Sequence, residues 1–245
     1  MKLLINIYDP VLGSNPFWQA FILSDWLGKG IFFGLYLLSI ISWIILIVKW
    51  RHIYAARKQA QLFRNFLLQN KTSLLQPPID SERKNSPFHV LHATVRKYTV
   101  DLLNKNRQYA PLPHSGSSYL SSADLDFIHA HLDAAVAVQV QHLDSYLFIL
   151  STTVSLAPFL GLLGTVWGIL ITFSGLQGGF AATNQTVLSG LSLALATTVL
   201  GLLDAIPALV GYNYLKNGIR RFQIEMENFS IEILSIIQMN YRKVE

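Results

Sequence analysis

The chain contains a long stretch without any ionisable side chain. No Lys, Arg, Asp, Glu or His occurs from Ser145 to Leu203, which is 59 consecutive residues. A helix that spans a bilayer needs about 20 apolar residues, so this stretch has room for two spans and a short link. Charged residues make up only 13% of the chain, about half the share that is typical of soluble domains. These features predict an all-α integral membrane protein.

Three segments are apolar and long enough to span a bilayer, and they divide the chain into seven parts. In chain order, the predicted parts are an outer-side amphipathic segment at 1–30, transmembrane helix 1 at 31–48, a cytoplasmic helical region at 49–151, transmembrane helix 2 at 152–174, a short outer-side link at 175–186, transmembrane helix 3 at 187–212 and a cytoplasmic C-terminal helix at 213–245. Of the 19 Lys and Arg side chains, 17 lie between spans one and two or after span three. The positive-inside rule therefore places the N-terminus outside and the C-terminus in the cytoplasm.

The segment before the first span has the pattern of an interfacial helix. Asn15 followed by Pro16 predicts a capped helix start, and the aromatic residues that follow suit the outer membrane interface. Asp9 and Pro10 interrupt the apolar run that a secretory signal needs, so we expect no such signal in the first 26 residues.

Helical spacing of apolar residues also marks the cytoplasmic parts. It predicts helices over 51–69 and 87–103, with a loop over 104–122. No helix-breaking residue follows, so one uninterrupted helix is predicted from Ser122 through the second span to Gly175. The third span is predicted to continue as a helix to near the C-terminus. Helices 2 and 3 are thus expected to extend far into the cytoplasm.

Composition excludes several classes of function. The chain has no cysteine, which rules out disulfide scaffolds, thiol catalysis and Cys-ligated metal sites. It also has no phosphate loop, Ser/His/Asp arrangement or acidic pair. His89 and His92 are three residues apart but have no acidic ligands nearby, so no metal site, cofactor or enzyme activity is predicted. The net charge of +5 comes from basic residues beside the spans, which suit lipid headgroups and not nucleic acid.

Small residues and prolines are frequent in spans two and three. In lipid, small residues let helix backbones approach closely, so we predict helix packing at these positions. The residues are Pro158, Gly161, Gly164 and Gly168 in span two, and Gly190, Gly201 and Pro207 in span three. Packing within one protomer and packing between copies of the chain both remain open at this point.

Two motifs in these spans resemble a known family. The sequences APFLGLLGTVWGI at 157–169 and GLSLALATTVLGLLDAIPALVGYN at 190–213 are similar to the TolQ/ExbB/MotA proton channel family. The flanking sequences, at 42–45 and 227–229, look more like the TolQ branch than the ExbB branch. Three spans, and not four, argue against the MotA branch.

The resemblance implies an assembly in a bacterial inner membrane. Family members form a homopentamer whose second and third spans surround a pore, which holds two copies of a TolR- or ExbD-like single-span protein. Proton passage then drives motion that reaches a TolA- or TonB-like protein. A TolQ-like chain would support envelope integrity and division, whereas an ExbB-like chain would energise TonB-dependent uptake.

Three threonines are the candidate pore residues. Thr165 and Thr198 match the family's pore threonines, and a hydroxyl can hydrogen-bond the partner's membrane aspartate in either protonation state. Thr172 shares a helix face with Thr165 and is a weaker candidate. The alternative for each threonine is a hydrogen bond to a carbonyl of its own helix.

Two positions depart from the family pattern. Leu193 stands where TolQ and ExbB usually carry a glutamate, and Asp204 stands where they usually have alanine. Asp204 is the only acidic or basic residue within the predicted spans, which makes it a candidate functional acid. Pairing with Lys49 or Lys216, or a contact between protomers, is the alternative. The loss of the glutamate also keeps a non-conducting membrane scaffold open, while a carrier is disfavoured because the chain lacks repeats and broken helices.

Overall fold

The computed structural model describes residues 15–69, 86–108, 119–177 and 184–241. Within these ranges the protein is all-helical, as the sequence predicts. The helices are α1 (Pro16–Leu23), α2 (Trp26–Gln69), α3 (Pro87–Gln108), α4 (Ser122–Asp144), α5 (Leu147–Gln177) and α6 (Asn184–Tyr241). Residues 109–118 of the predicted loop and 178–183 of the predicted link between the second and third spans lie outside the described residues.

Three of these helices are long and apolar enough to cross a membrane. They cover Trp26–Leu67, Leu147–Leu176 and Val187–Tyr241, and each contains one of the spans predicted from the sequence. A helix satisfies its own backbone hydrogen bonds, as lipid requires. Large apolar side chains such as Phe159 and Val166 are exposed on these helices, at 65% and 60%. The protein is a multi-pass membrane protein.

The helices divide into two compact units. The first, the membrane unit, comprises residues 1–48 and 146–214. In it α1 begins at Pro16, and the Asn15 side chain accepts a hydrogen bond from Phe17 N, which confirms the predicted cap. One buried cluster joins α1, α2 and α6 through Ala20, Phe32, Leu193 and Ala196, and a second joins α2, α5 and α6 through Ile31, Leu35, Ala157 and Ala205.

The second unit comprises residues 49–145 and 215–245. Its core includes packed aromatic rings: those of Phe88 and Phe229 stack at 4.2 Å, and Phe63 meets Phe229 edge-on. Ion pairs hold the ends of α2 and α6 together, with Arg64 Nη2 at 3.0 Å from Glu232 Oε2. The predicted helix over 87–103 is present as α3, and α6 continues to Tyr241 as predicted.

The prediction of one uninterrupted helix from Ser122 to Gly175 is wrong. The helix is interrupted between α4 and α5, where Ser145 has an extended ψ of 140° and Tyr146 has a φ of 67°. Lys49 Nζ donates to Leu143 O at 3.1 Å and to Ser145 Oγ at 3.1 Å. A lysine ammonium satisfies carbonyls that a helix leaves free at its C-terminus. A side chain 94 residues away from Leu143 thus contacts the break, and no local pattern reveals this contact.

Helix α4 begins with a capping box that involves an ionisable group. Asp124 N donates to Ser121 Oγ at 3.2 Å, and Ser121 N donates to Asp124 Oδ2 at 2.9 Å. Asn106 Nδ2 on α3 donates to the same oxygen at 3.0 Å. Burial by itself raises the pKa of Asp124, but these hydrogen bonds and the charge of Lys105 outweigh it and hold the pKa below its usual value.

We expect the charge of Asp124 to stabilise the second unit only above acidic pH. Because the folded state depresses the pKa, the stabilisation is present above the usual Asp value of about 4 and is lost as pH falls through the folded pKa. Asp124→Asn should therefore lower stability at neutral pH, and its difference from wild type should shrink in acid. Detergent-solubilised protein unfolded at a series of pH values measures this, with the exposed Asp126→Asn as control. An Asp124→Asn difference that is constant with pH would contradict the expectation.

Candidate functional site in the membrane helices

Helices α5 and α6 approach each other at glycines. A Cβ built on Gly168 would lie 2.4 Å from Gly190 O, and one built on Gly201 would lie 2.6 Å from Ala157 O. A Cβ on Gly161 would lie 3.0 Å from Thr197 O. Real Cβ atoms essentially never come within 3.0 Å of another heavy atom, so at Gly168 and Gly201 only glycine permits this separation of the two helices, and at Gly161 a larger residue would be tight.

The two threonines that match the family motif meet across this contact. Thr165 Oγ1 on α5 lies 3.4 Å from Thr198 Oγ1 on α6. Thr198 Oγ1 also lies within hydrogen-bond distance of Gly161 O on α5, at 3.3 Å. Both side chains are half-buried. Two hydroxyls from different helices therefore share one site, although they are 33 residues apart in the chain.

Each threonine also makes the local bond that was the alternative interpretation. Thr165 Oγ1 donates to Leu162 O at 2.8 Å, and Thr198 Oγ1 donates to Ala194 O at 3.1 Å. A hydroxyl has one proton and two lone pairs, so these bonds leave each oxygen able to accept. The pair can thus accept a hydrogen bond from a protonated carboxyl group without adding a charge to the membrane unit.

The remaining predicted residues lie along the same contact or beside it. Thr172 Oγ1 donates to Gly168 O at 2.9 Å, and a Cβ built on Gly190 would meet that hydroxyl. Thr172 is thus joined to the tight contact and not to the Thr165–Thr198 pair. A Cβ on Gly164 would collide with the Thr197 side chain. Pro158 and Pro207 lie inside α5 and α6, which continue through them.

Asp204 faces the first span and not the threonine pair. The residue is 7% exposed, and Ser42 Oγ on α2 donates to Asp204 Oδ1 at 3.4 Å. The other oxygen, Oδ2, is buried without a hydrogen-bond partner among the described residues. The structure therefore separates this acid from Thr165 and Thr198.

Sequence reasoning missed a second acid, Asp25, just before α2. Trp167 Nε1 on α5 donates to Asp25 Oδ2 at 3.0 Å, and Gly28 N donates to Asp25 Oδ1 at 3.0 Å. Leu193, which replaces the family glutamate, is 1% exposed. A Cβ built on Gly28 would lie 2.9 Å from Asp25 Oδ1 and 3.0 Å from Leu193 Cδ2, so both side chains lie next to Gly28. The Asp before a helix was visible as a possible cap, but its pairing with Trp167, 142 residues away, was not.

Removing the Asp25 carboxylate should destabilise the membrane unit. Asp25→Ala loses a helix cap, which costs about 0.5–2 kcal/mol. It also leaves the Trp167 indole N–H without an acceptor, which costs about 1–3 kcal/mol when the group is buried. A double-mutant cycle with Trp167→Phe, read by unfolding in detergent, should give a coupling of about 0.5–3 kcal/mol. A coupling near zero would show that the two side chains act independently.

The described residues contain no group of three or more His, Cys, Asp or Glu side chains that could hold a metal ion. The α5–α6 contact contains a pair of neutral hydroxyls, those of Thr165 and Thr198, between two apolar helices. Such a pair binds by hydrogen bonding and supplies neither a nucleophile with a base nor a metal centre.

Comparison with known proteins gives a consistent picture. The profile of the MotA/TolQ/ExbB proton channel family matches residues 101–228, which is more than half of the chain. That range includes α5 and most of α6, with both threonines and the glycine contact. The matched family is a channel family and not an enzyme family.

Individual relatives carry two different names. The Tol-Pal system protein TolQ of Haemophilus influenzae is 28% identical over 81% of this chain and 83% of its own length. The biopolymer transport protein ExbB of Pseudomonas putida is 29% identical over 90% of this chain, which spans 63% of that protein. A TolQ of Pseudomonas aeruginosa reaches 43% identity, but over only 32% of this chain and 34% of its own length.

Proposed function

The chain belongs to the MotA/TolQ/ExbB proton channel family, and we propose that it is a TolQ-like subunit of a proton-driven motor in a bacterial inner membrane. Five copies would surround a dimer of a TolR-like single-span protein. Proton passage would drive motion that a TolA-like protein carries to the outer membrane, in support of envelope integrity and division.

The observation that carries this proposal is the Thr165–Thr198 hydroxyl pair. The two oxygens lie 3.4 Å apart at the close contact of α5 and α6. In the proposed ring this contact lines the pore, and the pair meets a carboxyl group of the single-span partner. A hydroxyl serves both protonation states of that group, whereas a fixed charge at this depth costs several kcal/mol.

The proposed topology follows from the distribution of basic residues. The N-terminus would lie in the periplasm and the C-terminus in the cytoplasm, with spans at 31–48, 152–174 and 187–212. The second unit would then be cytoplasmic, since it contains most of the Lys and Arg side chains. Those nearest the spans would contact lipid headgroups.

The first test is co-purification with the single-span protein encoded beside this chain. Native mass spectrometry of the complex should give five copies of this chain and two of the partner. A monomer or dimer that retains no such partner would overturn the motor proposal. It would favour a membrane scaffold, for which the buried Leu193 at the glutamate position is the supporting observation.

An ExbB-like role is the second candidate, because the Pseudomonas putida ExbB matches 90% of this chain. The two roles differ in the protein that receives the motion. Crosslinking in the native membrane should capture a TolA-like protein in the first case and a TonB-like protein in the second. Deletion should correspondingly impair division and envelope integrity, or uptake through outer-membrane receptors.

A further inference from the structure

The membrane unit contains a partly open cavity of about 910 Å³ between α1, α2 and α6, and several side chains of its wall, such as Phe33 and Tyr36, are more than half exposed. Its wall is mostly apolar, with aromatic rings from α1 and α2 and leucines from α6. Polar groups lie at its two ends: Lys29 near the start of α2, and Ser39 with Asp204 further along. A water molecule occupies about 30 Å³ and needs polar partners, so this cavity has both the room and the groups to admit water.

The carboxylate of Asp204, at the end of this cavity near Ser39, lacks part of its possible hydrogen bonding. Asp204 is 7% exposed, and its Oδ2 has no hydrogen-bond partner among the described residues. Its Oδ1 accepts a long bond of 3.4 Å from Ser42 Oγ, which is closer to Ser39 O, at 2.9 Å. An ionised carboxylate held in this way within a bilayer costs several kcal/mol, whereas a neutral carboxyl group does not.

No positive side chain on the cavity wall contacts Asp204. The titratable side chains on that wall are Lys29, Tyr36 and Asp204 itself. Lys29 is ten residues, or about 15 Å, along α2 from Ser39. A hard metal cation takes about six oxygen ligands, while this site offers one carboxylate and two hydroxyls. A proton needs a single oxygen and is the cation that fits.

We propose that Asp204 takes up and releases a proton at Oδ2 through this cavity, at a site separate from the Thr165–Thr198 pair. On uptake a proton carried by water adds to Oδ2 and the carboxylate becomes neutral; on release the same O–H bond breaks. Thr198 faces Gly161 on α5, while Asp204 faces Ser42 on α2. The inference therefore does not depend on whether the threonine pair conducts.

Dicyclohexylcarbodiimide, an apolar reagent for protonated carboxyl groups in membranes, tests the proposal. The carboxyl proton adds to one nitrogen and the carboxylate oxygen to the central carbon, and rearrangement leaves a stable N-acylurea that retains every atom. The full chain in lipid nanodiscs should be labelled on the peptide that contains Asp204. Asp204→Asn should abolish this label. Asp25, whose two oxygens both accept hydrogen bonds, is the internal control and should remain unlabelled.

The route through the cavity is tested by filling it. Gly30 lines the cavity, and a Cβ built there meets nothing within 4 Å, so Gly30→Phe places a ring in the opening without a clash at Cβ. Gly218 also has nothing within 4 Å of a built Cβ but lies in the second unit, which makes Gly218→Phe the matched control. Gly30→Phe should slow labelling of Asp204 roughly tenfold, and the control should not.

Two results would overturn the proposal. Absence of label on Asp204 in the wild-type chain would mean that this carboxyl group is not protonated in the membrane. Equal labelling rates in wild type and Gly30→Phe would mean that the cavity is not the route. Infrared difference spectra of wild type and Asp204→Asn provide a readout without reagent: the C=O stretch of a protonated carboxyl should be present only in wild type.

Discussion

Gly168→Ala should destabilise the membrane unit, whereas the same change at Gly30 should not. A Cβ at Gly168 would lie 2.4 Å from Gly190 O and 2.9 Å from Ala194 N, and backbone atoms of a helix cannot move aside alone. The helices α5 and α6 must therefore separate. Overpacking of this kind costs about 1–3 kcal/mol, and looser packing along the rest of the helix pair adds to that cost. The midpoint of unfolding by sodium dodecyl sulfate should fall accordingly.

Gly30→Ala is the matched control. Gly30 lies in α2 of the same unit, and a Cβ there has nothing within 4 Å. Alanine has a higher helix propensity than glycine by about 1 kcal/mol, so the control should be neutral or slightly more stable than wild type. If both variants unfold at the same midpoint, α5 and α6 do not pack as closely as described. Co-purification of Gly168→Ala with the single-span partner should fall in parallel.

Replacing both threonines of the proposed pore pair should slow proton passage strongly without unfolding the protein. Thr165→Val with Thr198→Val keeps the side-chain shape but removes both hydroxyls. A hydrogen bond to a charged group contributes about 1.5–3 kcal/mol, so the rate of proton passage should fall roughly 10- to 100-fold. The measurement is dye-reported proton flux into vesicles that contain the complex with the single-span partner. The unfolding midpoint should change little, because the freed carbonyls keep their helix hydrogen bonds.

Thr152→Val is the control for the threonine variants. Thr152 is also on α5 and donates to Phe148 O of its own helix at 2.8 Å. Its replacement should leave proton flux unchanged. Thr165→Ser keeps a hydroxyl at that position and should therefore retain most of the flux. Undiminished flux in the double valine variant would contradict the pore role of the threonine pair and favour a scaffold.

Much of the candidate site could be predicted from the sequence, because a bilayer restricts which residues and secondary structures a spanning segment can have. A stretch of 59 residues without a charge has few alternatives to membrane helices, and small residues within it mark the places where helices meet. Thr165 and Thr198 were named from the family motif. Their distance of 3.4 Å depends on the register between α5 and α6, which only the glycine contacts establish.

The sequence could not provide contacts between residues that are far apart in the chain. The pairing of Asp25 with Trp167 depends on how α2 packs against α5, and local spacing carries no information about that packing. The same holds for the end of α4 at Ser145. Lys49, which donates to Ser145 Oγ there, is distant in sequence, and the break contains neither the glycine nor the proline that usually marks a helix end.

By itself the sequence determined the class of the protein. The uncharged stretch required membrane helices, the basic residues indicated an orientation, and the absence of cysteine excluded thiol chemistry, because each of these depends on composition and local order alone. Only the tertiary structure decided which polar groups face each other. In the structure Thr165 contacts Thr198, and Asp204 points toward Ser42 and the cavity. The direction of each side chain depends on helix register and packing, and these are determined only when the whole membrane unit is assembled.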